Sequence, residues 1–252
     1  MLDLIIVTGA SRGIGANIAE DYSSICKNIV VIGSSGKIEE VEIPNATPIK
    51  IDLHNYSNVK YRVSRAVARF KDVKSIGVVL CAAQLGKYGG LLQSNLKDWG
   101  DQYACNVLGN LAVIQACEPL IRQGAKLRVA FFSGGGAAYG YPEFSGYALS
   151  KVAVVRAVEN LAMEFANLAY DASIIAVAPG AVATDMLAQV VYHGGTVKTY
   201  TDISEPTNFV RKFLTDEFDS KSLNGRFVHV RDNVTSVDFS INPDLFKLRR
   251  IQ

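Results

Sequence analysis

Residues that build metal centres and disulfide frameworks are scarce in this chain. Its 252 residues include four cysteines and three histidines. Cys26, Cys81, Cys105 and Cys117 form no C-x-x-C pair, and no histidines cluster with them. That spacing argues against a metal site and reads as free, buried thiols in a reducing compartment. Long apolar runs are missing too. No stretch approaches the roughly 18 residues a membrane span needs. The start, Met1-Leu2-Asp3-Leu4-Ile5-Ile6-Val7, has neither the basic head nor the apolar length of a secretory signal. These absences predict a cytoplasmic protein. Charge of one sign is also lacking, since 26 basic residues face 24 acidic ones for a net +2. A nucleic-acid or membrane partner is therefore not expected. Arg249 and Arg250 form the one basic pair at the tail and read as a solvated end.

What is present is the material of a folded core. Hydrophobic residues make up 49% and charged residues 20% of the chain, a globular profile. The length suits one large domain spanning 1–252. Short continuous apolar runs, rich in Val and Ile, stand at 4–7, 29–32, 47–51, 76–80, 127–132, 173–177 and 226–230. Such runs fit strands covered on both faces. Between them the pattern predicts helices over 13–26, 56–70, 95–106, 108–122, 147–169 and 205–215. Alternation of this kind implies right-handed crossovers and a parallel sheet. There is no repeat, linker or low-complexity tract. The stretch 180–204 shows no clear pattern and reads as a loop covering a substrate.

Two motifs carry chemistry. The first is Thr8-Gly9-Ala10-Ser11-Arg12-Gly13-Ile14-Gly15, which leaves the first strand and opens the first helix. Glycines let backbone approach a pyrophosphate, and the helix N-terminus offers free N–H groups and partial positive charge. The strand-turn-helix setting favours a dinucleotide over a simple turn. No Lys-Ser/Thr follows the last glycine, so a nucleotide P-loop is excluded. NAD-binding domains commonly end the second strand in Asp or Glu, to take the ribose hydroxyls. Here the tip reads Gly33-Ser34-Ser35-Gly36-Lys37. A 2′-phosphate needs cations and donors, which Arg12, Ser34 and Lys37 can supply. This favours NADP(H) over NAD(H), against the alternative that Arg12 and Lys37 are ordinary surface cations. The second motif is Tyr147-Ala148-Leu149-Ser150-Lys151. Residues four apart share a helix face, so the Lys151 ammonium is expected near the Tyr147 phenol, lowering its pKa.

Together these residues resemble the short-chain dehydrogenase/reductase family, from Leu4 to about Val230. The glycine loop, Asn106, Tyr147 with Lys151, and Pro179-Gly180 with Thr184 all stand at family-like spacings. Ile175-Ala176-Val177-Ala178-Pro179-Gly180 and Asn224-Gly225 look most like its fungal benzil-reductase and sepiapterin-reductase-like group. The resemblance implies a Rossmann-type α/β sandwich, doubly wound, with seven parallel strands in the order 3-2-1-4-5-6-7. It implies Tyr147 as general acid in carbonyl reduction. Lys151 would lower the phenol pKa and hold the nicotinamide ribose, and Asn106 would anchor a water in the proton relay. The implied cofactor contacts are Gly9, Ser11, Arg12, Gly13, Ile14 and Gly15, then Ser34, Lys37, Asp52 and Leu53 at the adenosine end. Ala82, Pro179, Gly180, Val182 and Thr184 complete them. It also implies a homodimer or homotetramer.

Two positions depart from the family. Cys81-Ala82-Ala83 stands where Asn-Ala-Gly is usual, and Gly134 occupies the place of the family's catalytic serine. Ser133 is the nearest hydroxyl, and it can serve only if the backbone by Phe132 or Ser133 is irregular, since neighbours on a strand face opposite ways. Tyr139, Tyr141, Phe144 and Tyr192 either line a substrate pocket or pack structurally. The expected activity is NADPH-dependent reduction of a ketone or aldehyde, with diketones and other bulky carbonyls among the candidates. A catalytically impaired NADP-binding regulatory protein and a cofactor-free interaction scaffold remain as alternatives.

Overall fold

The computed structural model describes residues 1–249. In chain order the elements are β1 (Leu2–Thr8), α1 (Gly13–Tyr22), β2 (Cys26–Gly33), β3 (Ala46–Lys50), α2 (Tyr56–Val67) and β4 (Ser75–Leu80). There follow α3 (Leu96–Tyr103), α4 (Asn110–Ala116), α5 (Glu118–Arg122), β5 (Lys126–Phe132), α6 (Gly135–Ala138) and α7 (Ser145–Asn167). The chain continues through β6 (Ala172–Ala178), β7 (Ala181–Val182), α8 (Asp185–Tyr192), β8 (Tyr200–Thr201), α9 (Ser204–Leu214) and β9 (Phe227–His229). Seven parallel strands pair in the order β3-β2-β1-β4-β5-β6-β9. This is the expected order; the last strand is β9 because β7 and β8 pair separately.

Strands β1, β2, β4, β5 and β6 are buried along nearly their whole lengths. Their alternate residues feed two cores, one on each face. Leu4, Ile6, Val30 and Val129 belong to one, and Ile5, Val7, Val31 and Val177 to the other. This is why the strands read as unbroken apolar runs rather than alternating ones.

The elements differ from expectation at several places. The first helix stops at Tyr22 instead of Cys26, which begins β2. The Ser23 and Ser24 hydroxyls donate to the Glu20 and Asp21 carbonyls and end it. The predicted break at Val107 is no break. Residues Ala104–Gly109 form a π-turn joining α3 to α4. The stretch 180–204 is not patternless. It holds β7, α8 and β8, with the Thr184 hydroxyl accepting from the Leu187 amide to cap α8. The tail is not merely solvated, because Arg249 reaches Glu159 at 2.9 Å and Asp244 at 2.8 Å. Arg250 lies outside the described residues.

A π-turn leaves carbonyls without their usual partners. Buried Asn110 takes up two of them, its Nδ2 lying 3.2 Å from both the Cys105 and Asn106 oxygens. The same amide donates to the Ala82 carbonyl, and its Oδ1 accepts from the Thr8 hydroxyl at 2.7 Å. Thr8 in turn accepts from the Ala82 amide. One side chain thus ties the ends of β1 and β4 to the turn that carries Asn106. Replacing it with leucine strands several buried polar groups, each costing about 1–3 kcal/mol. Asn110→Leu is expected to lose about 3 kcal/mol and melt at least roughly 6 °C lower. A drop under about 2 °C in a calorimetric scan would contradict this account.

Candidate active site

At the C-terminal ends of β1, β4, β5 and β6 lies a cavity of about 680 Å³. One end is the glycine loop. Gly9 sits at φ +69°, and a Cβ on it would press to 2.9 Å on the Ala82 backbone; on Gly15 it would meet the Gly9 carbonyl even more closely. Only glycine permits this packing of loop, helix and β4. Arg12 precedes α1 and makes no side-chain cap there. The first-turn N–H groups of α1 therefore have no helical partner, and Gly13, Ile14 and Gly15 stand on the cavity wall. This cradle suits a diphosphate.

The adenosine side has no acid at the tip of β2. Ser34, Asp52 and Leu53 line it, while Lys37 is exposed on the turn Gly36–Glu40 and off the wall. Burial opposes ionisation of Asp52, but hydrogen bonds from His54 outweigh it and hold the carboxyl below its ordinary value. Arg12 reaches across the mouth to Asp185 at 3.1 Å, both side chains largely exposed.

The opposite end holds Tyr147 and Lys151 on α7, with the ammonium 5.4 Å from the phenol ring centre. Lys151 is 2% exposed and donates to the Phe132 carbonyl at 2.9 Å; Ser133 donates back to the Lys151 carbonyl at 3.0 Å. This reciprocal clasp fastens α7 to the end of β5. Burial pushes the Lys151 ammonium down to about 8. Burial, then the neighbouring Tyr141, push the Tyr147 phenol above its ordinary 10. The direction is opposite to the lowering expected from a nearby cation. The Lys151 ammonium points at a carbonyl rather than at the phenol oxygen, so desolvation dominates. A phenol held neutral is a proton donor in waiting.

The structure puts Gly9, Ser11, Arg12, Gly13, Ile14, Gly15, Ser34, Asp52, Leu53, Ala82, Ser133, Tyr147, Lys151, Pro179 and Thr184 on the wall of this one cavity. Four expected residues lie off the wall. Asn106 is fully buried behind it, paired with both backbone groups of Gln84 and with the Ser150 hydroxyl. Ser150 donates to the Tyr147 carbonyl, so Asn106 braces the tyrosine's own turn. Val182 is buried in the small sheet, and Gly180 packs on Thr201. Lys37 is the fourth. Ser133 keeps regular strand pairing, its amide on the Val177 carbonyl at 2.8 Å. Its hydroxyl serves Lys151. Position 134 is the one that faces the phenol, since a Cβ there would lie 3.7 Å from Tyr147 Oη.

Sequence reasoning missed Asn110, Ser150, Gln84, Leu85 and Gln189. The last three line the cavity together with Met186. Asn110 had one signal, a polar residue four after Asn106 amid an apolar helix. Of the open aromatics, Tyr141 and Phe144 pack with Leu85 and Val190 beside Tyr147, while Tyr139 and Tyr192 are exposed. Cys81 and Cys105 also border the cavity, but burial raises both thiols, Cys105 to about 11. Neither is a ready nucleophile. Among the described residues no cluster of potential metal ligands occurs, and no helix is long and apolar enough to cross a membrane.

A glycine cradle at one end and half-buried Tyr147 beside buried Lys151 at the other fit a dinucleotide laid between them. Known proteins agree with this geometry. The family model for short chain dehydrogenases matches residues 3–193. Oxidoreductase UcpA of Salmonella typhimurium is 28% identical over 193 residues, covering 73% of this chain and 71% of that protein. The 3-oxoacyl-[acyl-carrier-protein] reductase FabG of Staphylococcus epidermidis is 26% identical over 243 residues, covering 89% and 96%. Among solved structures, a Shigella flexneri protein described as a short chain dehydrogenase and complexed with NADP superposes with a TM-score of 0.77 at 22% identity, over 91% of this chain and 97% of that one. A Salmonella enterica short chain dehydrogenase gives 0.76 at 20% identity, over 92% and 97%. With three quarters of its length matched by the family model, the chain belongs to the short-chain dehydrogenase family.

Proposed function

We propose that this chain is an NADPH-dependent carbonyl reductase, acting in the cytoplasm as a homo-oligomer on a ketone or aldehyde. One observation carries the reading: half-buried Tyr147 stands beside buried Lys151 at the far end of the cavity that opens on the glycine loop. The bound dinucleotide would supply hydride to the carbonyl carbon. The α1 N-terminus would hold the diphosphate, and Arg12 and Ser34 a 2′-phosphate. Tyr147, neutral at physiological pH, would give its proton to the carbonyl oxygen as charge develops there. The protonated Lys151 ammonium would then offset the phenolate left behind. Support for NADP over NAD is the acid-free tip of β2 and the phosphate-ready Arg12. The four free cysteines support a reducing compartment. The exposed Leu149, Val152 and Met163 along α7 support self-association. Likeness of 175–180 and 224–225 to the benzil-reductase and sepiapterin-reductase-like group supports a diketone or another bulky carbonyl. Gly134, which offers no hydroxyl beside the phenol, favours the impaired regulatory protein as a second reading.

Three measurements test this. NADPH is expected to bind at least about tenfold tighter than NADH, equivalent to about 1.4 kcal/mol; equal affinities refute the cofactor choice. Tyr147→Phe should cut ketone reduction by at least about a hundredfold while NADPH binding holds. Retained turnover refutes Tyr147 as the acid. Tight NADPH binding by a wild type that reduces no carbonyl marks the regulatory protein, and no NADPH-induced thermal shift marks a scaffold.

A further measurement concerns stability. The folded Lys151 titrates near 8 against 10.5 for a free lysine. Between those values the unfolded chain binds more protons, so stability rises with pH across that window. Below it both states are protonated and the folded state bears the full cost, about 3 kcal/mol at roughly 1.4 per pH unit. Lys151→Met removes that cost but strands the Phe132 carbonyl, at about 1 kcal/mol. The variant, though inactive, should melt roughly 5 °C higher at pH 7, with the advantage shrinking from pH 8 toward 10.5. A variant less stable than wild type at pH 7 contradicts the charged, desolvated lysine.

A further inference from the structure

Gly134 leaves β5 with φ 167° and ψ −176°. That is extended backbone, open to any residue. A Cβ built on it meets one atom within 4 Å, Tyr147 Oη at 3.7 Å, an ordinary van der Waals separation. Neither chain geometry nor packing therefore requires glycine here. Gly136 contrasts with it, since a Cβ there would crowd Ala148 at 3.3 Å. A side chain at 134 would fill the space beside the phenol hydroxyl, and glycine leaves that space open. Ser133 does not enter it, because its hydroxyl is held by the Lys151 carbonyl.

The surroundings say what could fill it. Leu85 and Met186 line this end of the cavity. Both belong to an apolar cluster with Phe144 and Tyr141 that packs directly against Tyr147. The Tyr141 ring centre lies 5.3 Å from that of Phe144 and 6.5 Å from that of Tyr147. Gln84 and Gln189 supply the polar part of the wall. A space beside the Tyr147 hydroxyl, bounded by Leu85 and Met186 and backed by this cluster, accepts an apolar group attached to the reacting carbonyl.

We propose that the space left by Gly134 is a substrate subsite for an aryl or branched alkyl substituent, so that Gly134 selects bulky ketones over small ones. The inference rests on the carbonyl-reductase reading for its substrate class. It can be tested by binding alone. The protein loaded with NADP⁺ turns no ketone over, so its affinities for propiophenone and butanone can be measured by calorimetry in the wild type, Gly134→Ala and Gly134→Val. Wild type should prefer propiophenone. In Gly134→Val the ratio of the two affinities should fall at least about tenfold, and in Gly134→Ala about threefold, as added carbons occupy the space. Thermal melts show whether each variant is folded, and the smaller alanine keeps the test standing if valine is not tolerated. An unchanged ratio, or no wild-type preference for propiophenone, overturns the proposal. So does Gly134→Ser raising turnover of both ketones alike, because the space would then be the seat of a missing hydrogen-bond donor. Failure of the carbonyl-reductase reading shows separately, as a wild type that reduces neither ketone with NADPH.

Discussion

The amide of Asn110 is the fastening on which the site depends. The C-terminal ends of β1 and β4 must lie close enough for Gly9 to touch the Ala82 backbone, and the buried carbonyls of the π-turn must find donors. Asn110 meets both demands at zero exposure, bonding Thr8, Ala82, Cys105 and Asn106. Its neighbour in the turn, Asn106, extends the fastening through Ser150 to the Tyr147 carbonyl. A continuous run of buried hydrogen bonds thus leads from the glycine loop to the turn that carries Tyr147. Such a network is rigid when every member is satisfied and costly when one is removed.

A second constraint sits across the sheet. Lys151 and Ser133 exchange hydrogen bonds with the backbone of α7 and β5. This clasp gives the ammonium a partner at 2% exposure, while the burial itself holds it down to about 8 instead of 10.5. The folded state is destabilised by that desolvation. Under the proposed mechanism, stability is lost where the chemistry would need a cation beside a developing phenolate, a common bargain at catalytic sites.

What the sequence discloses follows from how local each requirement is. The glycine loop is legible because its turn, its close approach and its helix start fall within eight residues. The central strands are legible because burial on both faces leaves Ile29, Val30, Val31 and Ile32 all fully buried. Helix α8 escaped notice because it is only eight residues long: Met186, Leu187, Val190 and Val191 recur at helical spacing, but the pattern breaks off at His193-Gly194-Gly195. Asn110 looks like an indifferent helical residue until the π-turn before it is known. Arg12 has a partner, Asp185, 173 positions away, and no local pattern announces such a pair. Gly134 stands between these cases. Its departure from the family is plain in the sequence, but that a Cβ there would face the phenol, while Ser133 faces the lysine carbonyl, needs three dimensions.

The Arg12–Asp185 pair bears on the cofactor as well. A carboxylate at the mouth of a phosphate site would ordinarily count against an extra phosphate. Here both side chains are about 70% exposed, and an ion pair of that exposure contributes no more than about 1 kcal/mol. A doubly charged phosphate with several acceptor oxygens offers the guanidinium a better, bidentate partner. Asp185 therefore does not remove Arg12 from reach of a 2′-phosphate; it keeps the guanidinium at the cavity edge. The carboxylate that would discriminate against NADP belongs at the tip of β2, beside the ribose, and there the chain has Ser34. Charge at the mouth is thus adjustable, and in the proposed NADPH-dependent enzyme the residue at the strand tip would decide between the two dinucleotides.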